Sequence, residues 1–411
     1  MESSSSHVTT QHSHTTLWSK AISYSYAAAL WRLPKRTYKH LIVDVSGKVG
    51  RVKIDLEETQ PAFAFSPFLN PDGTQTLLIK ADIYFMFDAD NQLTEDDCEN
   101  GLVMGRDFNR SIFLEDDIEP IIQSKSSKTT QKPLVDSSDS TAAAYISSVR
   151  QAVEAIQNGQ MQKVVLSRSK DIQLSDSLEI VDAFDKLCQA YPNAFVSAVY
   201  LPEEQAVWLG ASPETLVSMN RDGIFRTISL AGTQSAYDTD GQLVHPSEAR
   251  WTQKEIEEQA LVSRYIISCF KQIRLREFIE IGPKTVLAGN LMHLRTDYEV
   301  DTKAVNFPQL GTVMLDLLHP TSAVCGMPKA PALDFILQHE QNEREFYSGF
   351  LGPVNVQQET HLFVNLRTMK IQQQYARLFA GAGITEDSIP EKEWKETEMK
   401  CETLLSVVFD S

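Results

Sequence analysis

The sequence predicts an antiparallel α+β fold. Three observations point there. Short β-like runs are joined by turn signals rather than by crossover helices. Helical stretches fall between them at irregular intervals. No repeated β-α-β unit is present, and no G-x-G-x-x-G follows a strand. At 411 residues and 42% hydrophobic, the chain is long enough for one large core or two to three smaller ones.

Taken in order, residues 1–15 are Ser, Thr and His with little to bury, and are expected to be a disordered tail. Its His7, His12 and His14 would bind a metal only adventitiously. Residues 16–33, with Leu17, Ile22, Tyr26, Leu30 and Trp31 among polar neighbours, predict an amphipathic helix ended by Pro34. From Lys39 to Leu114, β-like runs such as His40–Val45 and Thr76–Lys80 alternate with turns, and no catalytic pattern appears. We take 16–130 as a divergent, β-rich N-terminal part of the same fold. The polar, low-complexity stretch 124–140 reads as a linker or exposed loop.

A helix is expected over Ala142–Asn158, ended by Gly159, feeding the strand Lys163–Arg168. A hairpin follows: Ala206–Met219, a turn at Asn220–Gly223, then Ile224–Leu230. A long helix runs from about Thr252 to Ile273, with Glu255, Glu258 and Val262 on one face. Near the end, Gly381-Ala-Gly383 predicts a bend whose amides can approach a ligand. Ser388 and Glu391 have capping-box spacing, so a last helix is expected from Pro390. It would place Glu393, Glu396 and Lys400 on one face, which suits a small anion and a hard cation, or simply a solvated face.

The balance of 38 basic and 55 acidic residues gives −17. With no basic stripe, nucleic acid is a poor partner. Five scattered cysteines without a C-x-x-C pair fit a reduced, cytoplasmic protein with no zinc site. No apolar run is long enough to span a membrane.

Several separate stretches together resemble one family, the chorismate-utilising enzymes, over roughly residues 140–411. They are Lys163–Arg168, Gly210–Glu214, Leu230–Thr233, Lys254–Gln259, His319-Pro320 with Gly326–Pro328, Arg344–Gly352, Arg367 and Gly381–Lys400. The family includes isochorismate synthase, salicylate synthase and the component I subunits of anthranilate and aminodeoxychorismate synthases. The resemblance implies two large antiparallel sheets packed as a sandwich, ringed by helices, with the site in a cleft between them. It implies a dianionic substrate, chorismate, and addition of a nucleophile to its ring as the C4 hydroxyl leaves.

Within that family, lysine at the place of Lys163 marks the branches that add water. Lys163 is then the base, and must be buried or face another cation to be neutral; otherwise it is a strand-edge lysine reaching for solvent. Glu214, behind Ser212-Pro213, is the acid, or a turn carboxylate capping an amide. Ala231, where aminodeoxychorismate synthases carry a nucleophilic lysine, argues against that branch. The resemblance implies Mg²⁺ held by Glu258 and Glu396, with Glu255 and Glu393 as an outer shell. It gives the side-chain carboxylate of the substrate to Tyr347 and Arg367. The ring carboxylate falls to the amides of Gly381, Ala382 and Gly383 and to Lys400. Thr233 would bond substrate. His319 would lie near the leaving hydroxyl or order the Pro320 turn.

The expected activity is that of an isochorismate synthase serving menaquinone or siderophore synthesis. It would be a monomer or homodimer without a glutaminase subunit. A salicylate synthase and a non-catalytic chorismate-binding subunit are the alternatives. The chain departs from the family pattern at Ile256, Gln259, Asn365, Thr368 and Glu345, which puts fine substrate positioning in question.

Overall fold

The computed structural model describes residues 12–94, 113–114, 138–174, 178–238, 240–288 and 291–409. Most of the expected tail (1–11) and linker (124–137), and the run beyond Thr94 up to residue 112, lie outside them.

Two nine-stranded sheets form, and among the described residues every strand pair in them is antiparallel. The first runs, in order, 326–327, 163–173, 375–384, 368–372, 206–212, 195–201, 27–32, 39–44 and 83–87. The second runs 279–288, 291–301, 224–235, 215–219, 360–364, 350–354, 62–66, 76–80 and 50–52. The N-terminal stretch therefore supplies an edge to both sheets.

Aromatic side chains from both sheets fill the space between them. Phe195 stacks on Phe363 with centroids 4.1 Å apart, and Phe65 on Phe346 at 4.1 Å. Trp31, Trp208 and Phe379 belong to the same buried cluster. Such rings bury large apolar areas and stack with extra attraction. On the outer face of the first sheet, the helices His14–Ser23, Ile180–Ala190 and Pro390–Val408 contribute Leu17, Phe184 and Leu404 to one cluster. Helices Ser138–Gln157, Gln253–Gln272, Leu310–Leu318 and Lys329–His339 share another.

Five expectations are corrected. The helix expected over 16–33 stops at Ser23. Ser25 turns the chain at φ +56°, and Ala27–Arg32 becomes a fully buried strand between 39–44 and 195–201. Tertiary pairing there overrides the helical preference of Ala27-Ala-Ala-Leu30. His14, counted with the tail, begins that helix; it is buried and meets Asp185 at 2.9 Å. The run 206–219 is not one strand: 206–212 lies in the first sheet and 215–219 in the second. Gly381-Ala-Gly383 is not a bend but the end of a strand paired with 163–173. The box at Ser388 does not form either. Ile389 is the N-cap without a side-chain bond, and Ser388 Oγ accepts instead from the Thr385 amide.

Phe195→Ala removes a ring stacked between the sheets. It should cost about 3–5 kcal/mol, read as a lower urea midpoint.

Candidate active site

The chain passes from sheet to sheet at two places that lie side by side. At one, Ser212-Pro213-Glu214 links 206–212 to 215–219; at the other, Asn365-Leu-Arg367 links 360–364 to 368–372. They are tied together. The Val364 amide donates to Glu214 O at 3.0 Å and the Ala211 amide to Arg367 O at 2.9 Å, while Ser212 Oγ donates to Val364 O at 2.5 Å. Glu214 and Arg367, 153 positions apart in sequence by their numbers, are neighbours for this reason.

Arg367 adopts φ +48° and its guanidinium has no hydrogen-bond or ion-pair partner among the described residues. Burial lowers its pKa, although Tyr347 and Glu396 pull the other way. Tyr347 stacks on Phe379 at 5.5 Å, and burial raises its hydroxyl to about 12. That hydroxyl would lie 3.1 Å from any Cβ added to Gly381. A cleft of about 560 Å³ opens here, lined by Pro213, Thr215, Leu230, Arg295 and Arg367 among others.

Glu214 is buried, and burial raises its carboxyl from 4.5 to about 8, against the opposing charges of Lys163 and Arg367. It is therefore a protonated acid near pH 7. Lys163 is 1% exposed, and its ammonium donates to Glu258 Oε1 at 2.8 Å. It is not the strand-edge lysine that the alternative reading describes. Gly383 lies against this pair: a Cβ there would sit 2.6 Å from Glu258 Oε1 and 3.0 Å from Lys163 Cε. A larger residue at this strand position would force one of the two side chains to shift.

Two further ion pairs complete the cluster. Lys254 holds the buried Glu393 at 2.7 Å, and Lys400 holds Glu396 at 2.6 Å while donating to Gly381 O at 2.7 Å. Burial alone would raise the pKa of Glu258; Lys163, then Lys400 and Lys254, bring it below the usual range. Burial raises that of Glu393. Glu258, Glu393 and Glu396 all act on Lys254, so the two helices do bring their acidic faces together. Four cations (Lys163, Lys254, Arg367, Lys400) face three carboxylates, with Glu214 neutral. One positive charge is in excess, which favours an anionic ligand.

Glu258 and Glu396 offer carboxylate oxygens, the donors that a hard divalent cation takes. Among the described residues no three His, Cys, Asp or Glu side chains gather as a ready metal cage. Two carboxylates plus ligand and water oxygens are the donor set on offer.

Two assigned residues, Glu255 and His319, stand elsewhere. Glu255 closes a capping box: its Oε2 accepts from the Thr252 amide at 2.7 Å and hydroxyl at 2.8 Å. It is thereby removed from an outer metal shell. His319 is not at the cluster; its Nε2 meets Pro67 O at 3.2 Å and its ring sits edge-on to Phe350. The ring braces the loop at Pro67 rather than facing the site. Ala382 packs its methyl into the core, so only its backbone can face the site. Beyond Leu378 the strand carrying Gly381–Gly383 has no strand partner on its second side among the described residues. Thr233 Oγ1 lies 3.4 Å from His293 Nδ1, just past a bulge where Gly232 takes φ +71°.

His293 itself went unread. It is buried, and its Nδ1–H donates to Gly232 O at 2.8 Å. Its Nε2 is buried without a partner. Burial first, then Arg367, lower its pKa to about 3, so it is a neutral acceptor. Arg367, Lys400 and Glu258 all act on it, which places it in the same cluster. In sequence it is one histidine between apolar residues, with no spacing to distinguish it.

The departures from the family pattern have local roles. Gln259 replaces a histidine and donates to Thr296 Oγ1 at 2.8 Å and to Ser263 Oγ at 3.2 Å, a buried bracing network. Glu345 holds φ +48° at a glycine's place and pairs with Lys370 at 2.6 Å. Ile256 is exposed. None of the three touches Lys163 or Glu214.

Comparison with known proteins places these features. Residues 106–409 match the family model described as chorismate binding enzyme. Isochorismate synthase EntC of Escherichia coli K12 is 31% identical over 251 residues, covering 60% of this chain and 62% of that protein. Isochorismate synthase MenF of the same strain is 31% identical over 261 residues, covering 62% and 58%. The chain thus matches about three fifths of the length of these relatives. The solved structure of the menaquinone-specific MenF from Escherichia coli superposes with a TM-score of 0.70 at 21% identity, over 95% of this chain and 91% of that one. The two-sheet fold is shared.

The Glu214 carboxyl makes stability depend on pH. Unfolded it loses its proton near 4.5, folded near 8. Between these values unfolding releases a proton, so stability falls as pH rises, by at most about 1.4 kcal/mol per unit. Glu214→Gln should flatten that slope in urea melts between about pH 5 and about pH 8. An unchanged slope would mean that the carboxyl is already ionised in the fold.

Proposed function

Because the chain belongs to the chorismate binding enzyme family, matched over residues 106–409, we propose that it is an isochorismate synthase. It would add water at C2 of chorismate as the C4 hydroxyl departs. The observation that carries this reading is the meeting of a buried lysine and a protonated carboxyl, Lys163 and Glu214, at the edge of a cation-rich cleft.

The chemistry needs one proton taken and one given. Lys163 takes the proton of the attacking water. Glu214 gives its own to the hydroxyl, which leaves as water while the ring double bonds shift. Each transfer contributes on the order of 10²–10⁴-fold. To act as a base Lys163 must first pass its extra proton to solvent and be released from its bond to Glu258. Arg367, the unpaired guanidinium, grips the side-chain carboxylate with Tyr347 beside it. The ring carboxylate meets Lys400 and the strand edge at Gly381–Gly383. Thr233 and the neutral His293 Nε2 lie where substrate hydroxyls need partners.

Mg²⁺ fits this reading, held by Glu258 and Glu396, with Glu393 as outer support. It would supply positive charge that offsets the substrate's carboxylates beside those two acids. Since the site already carries an excess cation, a dianion and a divalent ion together leave its charge unchanged. We place the product in menaquinone or siderophore synthesis in the cytoplasm, with no glutaminase required because water, not ammonia, is added.

The test is product analysis. Purified protein with chorismate and Mg²⁺ should yield isochorismate, and chelation should abolish it. Lys163→Ala and Glu214→Gln should each lower kcat by about 10²–10⁴-fold. Salicylate with pyruvate as the enzymatic products would mark the salicylate branch instead. Tight chorismate binding without turnover would mark a binding subunit.

A further inference from the structure

A second cavity shares none of its lining residues with the ion-pair cluster. It measures about 520 Å³, within the range of small-molecule sites. Its wall is formed by the loop after 62–66, by helices Leu310–Leu318 and Lys329–His339, and by Phe350. Phe68, Leu69, Leu315, Leu333 and Phe350 give it an apolar lining with two aromatic rings.

Its polar groups are almost all spent on one another. Lys53 pairs with Asp316 at 3.2 Å. Asp72 accepts from Thr74 Oγ1 at 2.8 Å. Asn70 bonds Ser66 Oγ, Thr76 Oγ1 and the Gln75 amide. His319 is neutral, its pKa lowered to about 3 by burial and then by the Lys329 charge. Lys329 differs. Its ammonium donates to the His319 carbonyl and has no carboxylate partner among the described residues. Burial lowers its pKa, and only two cysteines act in the opposite sense. A half-buried ammonium with no counter-charge, on the wall of an apolar cavity, is costly unless something neutralises it.

We propose that this cavity binds an aromatic monocarboxylate, its rings against Phe68, Phe350 and the three leucines and its carboxylate on the Lys329 ammonium. One free cation calls for one negative charge. The apolar lining calls for a flat hydrocarbon body, and the volume admits two fused rings. Phosphate esters are disfavoured, since no second free donor is present. The site is separate from the cluster around Lys163, although Met327, two positions before Lys329, pairs in register with Lys163. The inference does not depend on the proposed activity.

The probe is 2-naphthoate, followed by its own fluorescence and by calorimetry on the full chain. Wild type should bind one equivalent. Lys329→Met should weaken binding by at least about 10-fold (about 1.4 kcal/mol), Lys329→Arg should restore most of it, and Arg367→Met should leave it unchanged. If Lys329→Met fails to fold, Leu333→Trp, one turn further along the same helix, fills the cavity, keeps the ammonium, and should also abolish binding. No binding to wild type, binding indifferent to both cavity variants, or binding lost in Arg367→Met alone would overturn the proposal. The last outcome would place naphthoate in the chorismate cleft. Failure of wild type to turn over chorismate would leave this result untouched.

Discussion

The structure depends on two strand crossings held side by side. Where the chain leaves the first sheet at Pro213 and returns to it through Arg367, backbone bonds lock each crossing to the other. A strand that changes sheets must expose backbone that no ladder satisfies. Here each crossing satisfies its neighbour, and the pair is covered by the aromatic layer between the sheets. What results is a rigid notch with one acid and one guanidinium fixed in it. The notch makes Glu214 unusual, because its buried carboxyl has no cation at hydrogen-bond range among the described residues. Burial outweighs the charges of Lys163 and Arg367, and the proton stays on.

The rest of the cluster answers a different constraint. Two helices point acidic faces at one another across the strands 163–173 and 375–384, and three carboxylates in so small a space repel. The chain offsets this with lysines, one for each: Lys163 for Glu258, Lys254 for Glu393, Lys400 for Glu396. Each pair is satisfied alone, yet none is isolated, since all three acids act on Lys254. Such pairs are exchangeable by construction. A divalent cation and an anion arriving together can replace the internal partners without changing the net charge of the site. Glycine at 383 leaves the first pair undisturbed, because a Cβ there would press on the Glu258 carboxylate and the Lys163 side chain.

Much of this was legible in sequence, and the failures have physical causes. Lys163, Glu214, Glu258, Glu396, Tyr347 and Arg367 were found through the order of motifs, and the structure brings them to one region. The helices at 253–272 and 390–408 were visible from periodicity alone. Glu255 was misassigned because three-residue spacing fits both a helix face and a capping box, and only the preceding Thr252 decides between them. His319 was drawn to the site by its motif neighbours, while its ring is held by Pro67 in another cavity. His293 was missed because a lone histidine in an apolar strand gives no signal until Gly232 and Arg367 are placed around it. Ala27–Arg32 misled because helix preference is local, whereas the pairing that makes it a strand comes from residues more than 160 positions later.

That last case bears on what the N-terminal stretch is for. It carries no motif of the proposed chemistry, yet strands 27–32, 39–44 and 83–87 extend one sheet and 50–52, 62–66 and 76–80 the other. Phe63 and Phe65 enter the layer between the sheets, where Phe65 lies on Phe346, one residue from Tyr347. Tyr347 in turn lies on Phe379, two residues from Gly381. The position of the tyrosine hydroxyl beside Gly381 is thus set by a stack of rings that begins in the first seventy residues. A sequence can diverge freely there so long as it keeps large rings at alternate strand positions. Packing of this kind specifies volume and shape rather than identity, which is why a region without a recognisable motif can still fix the geometry of the site.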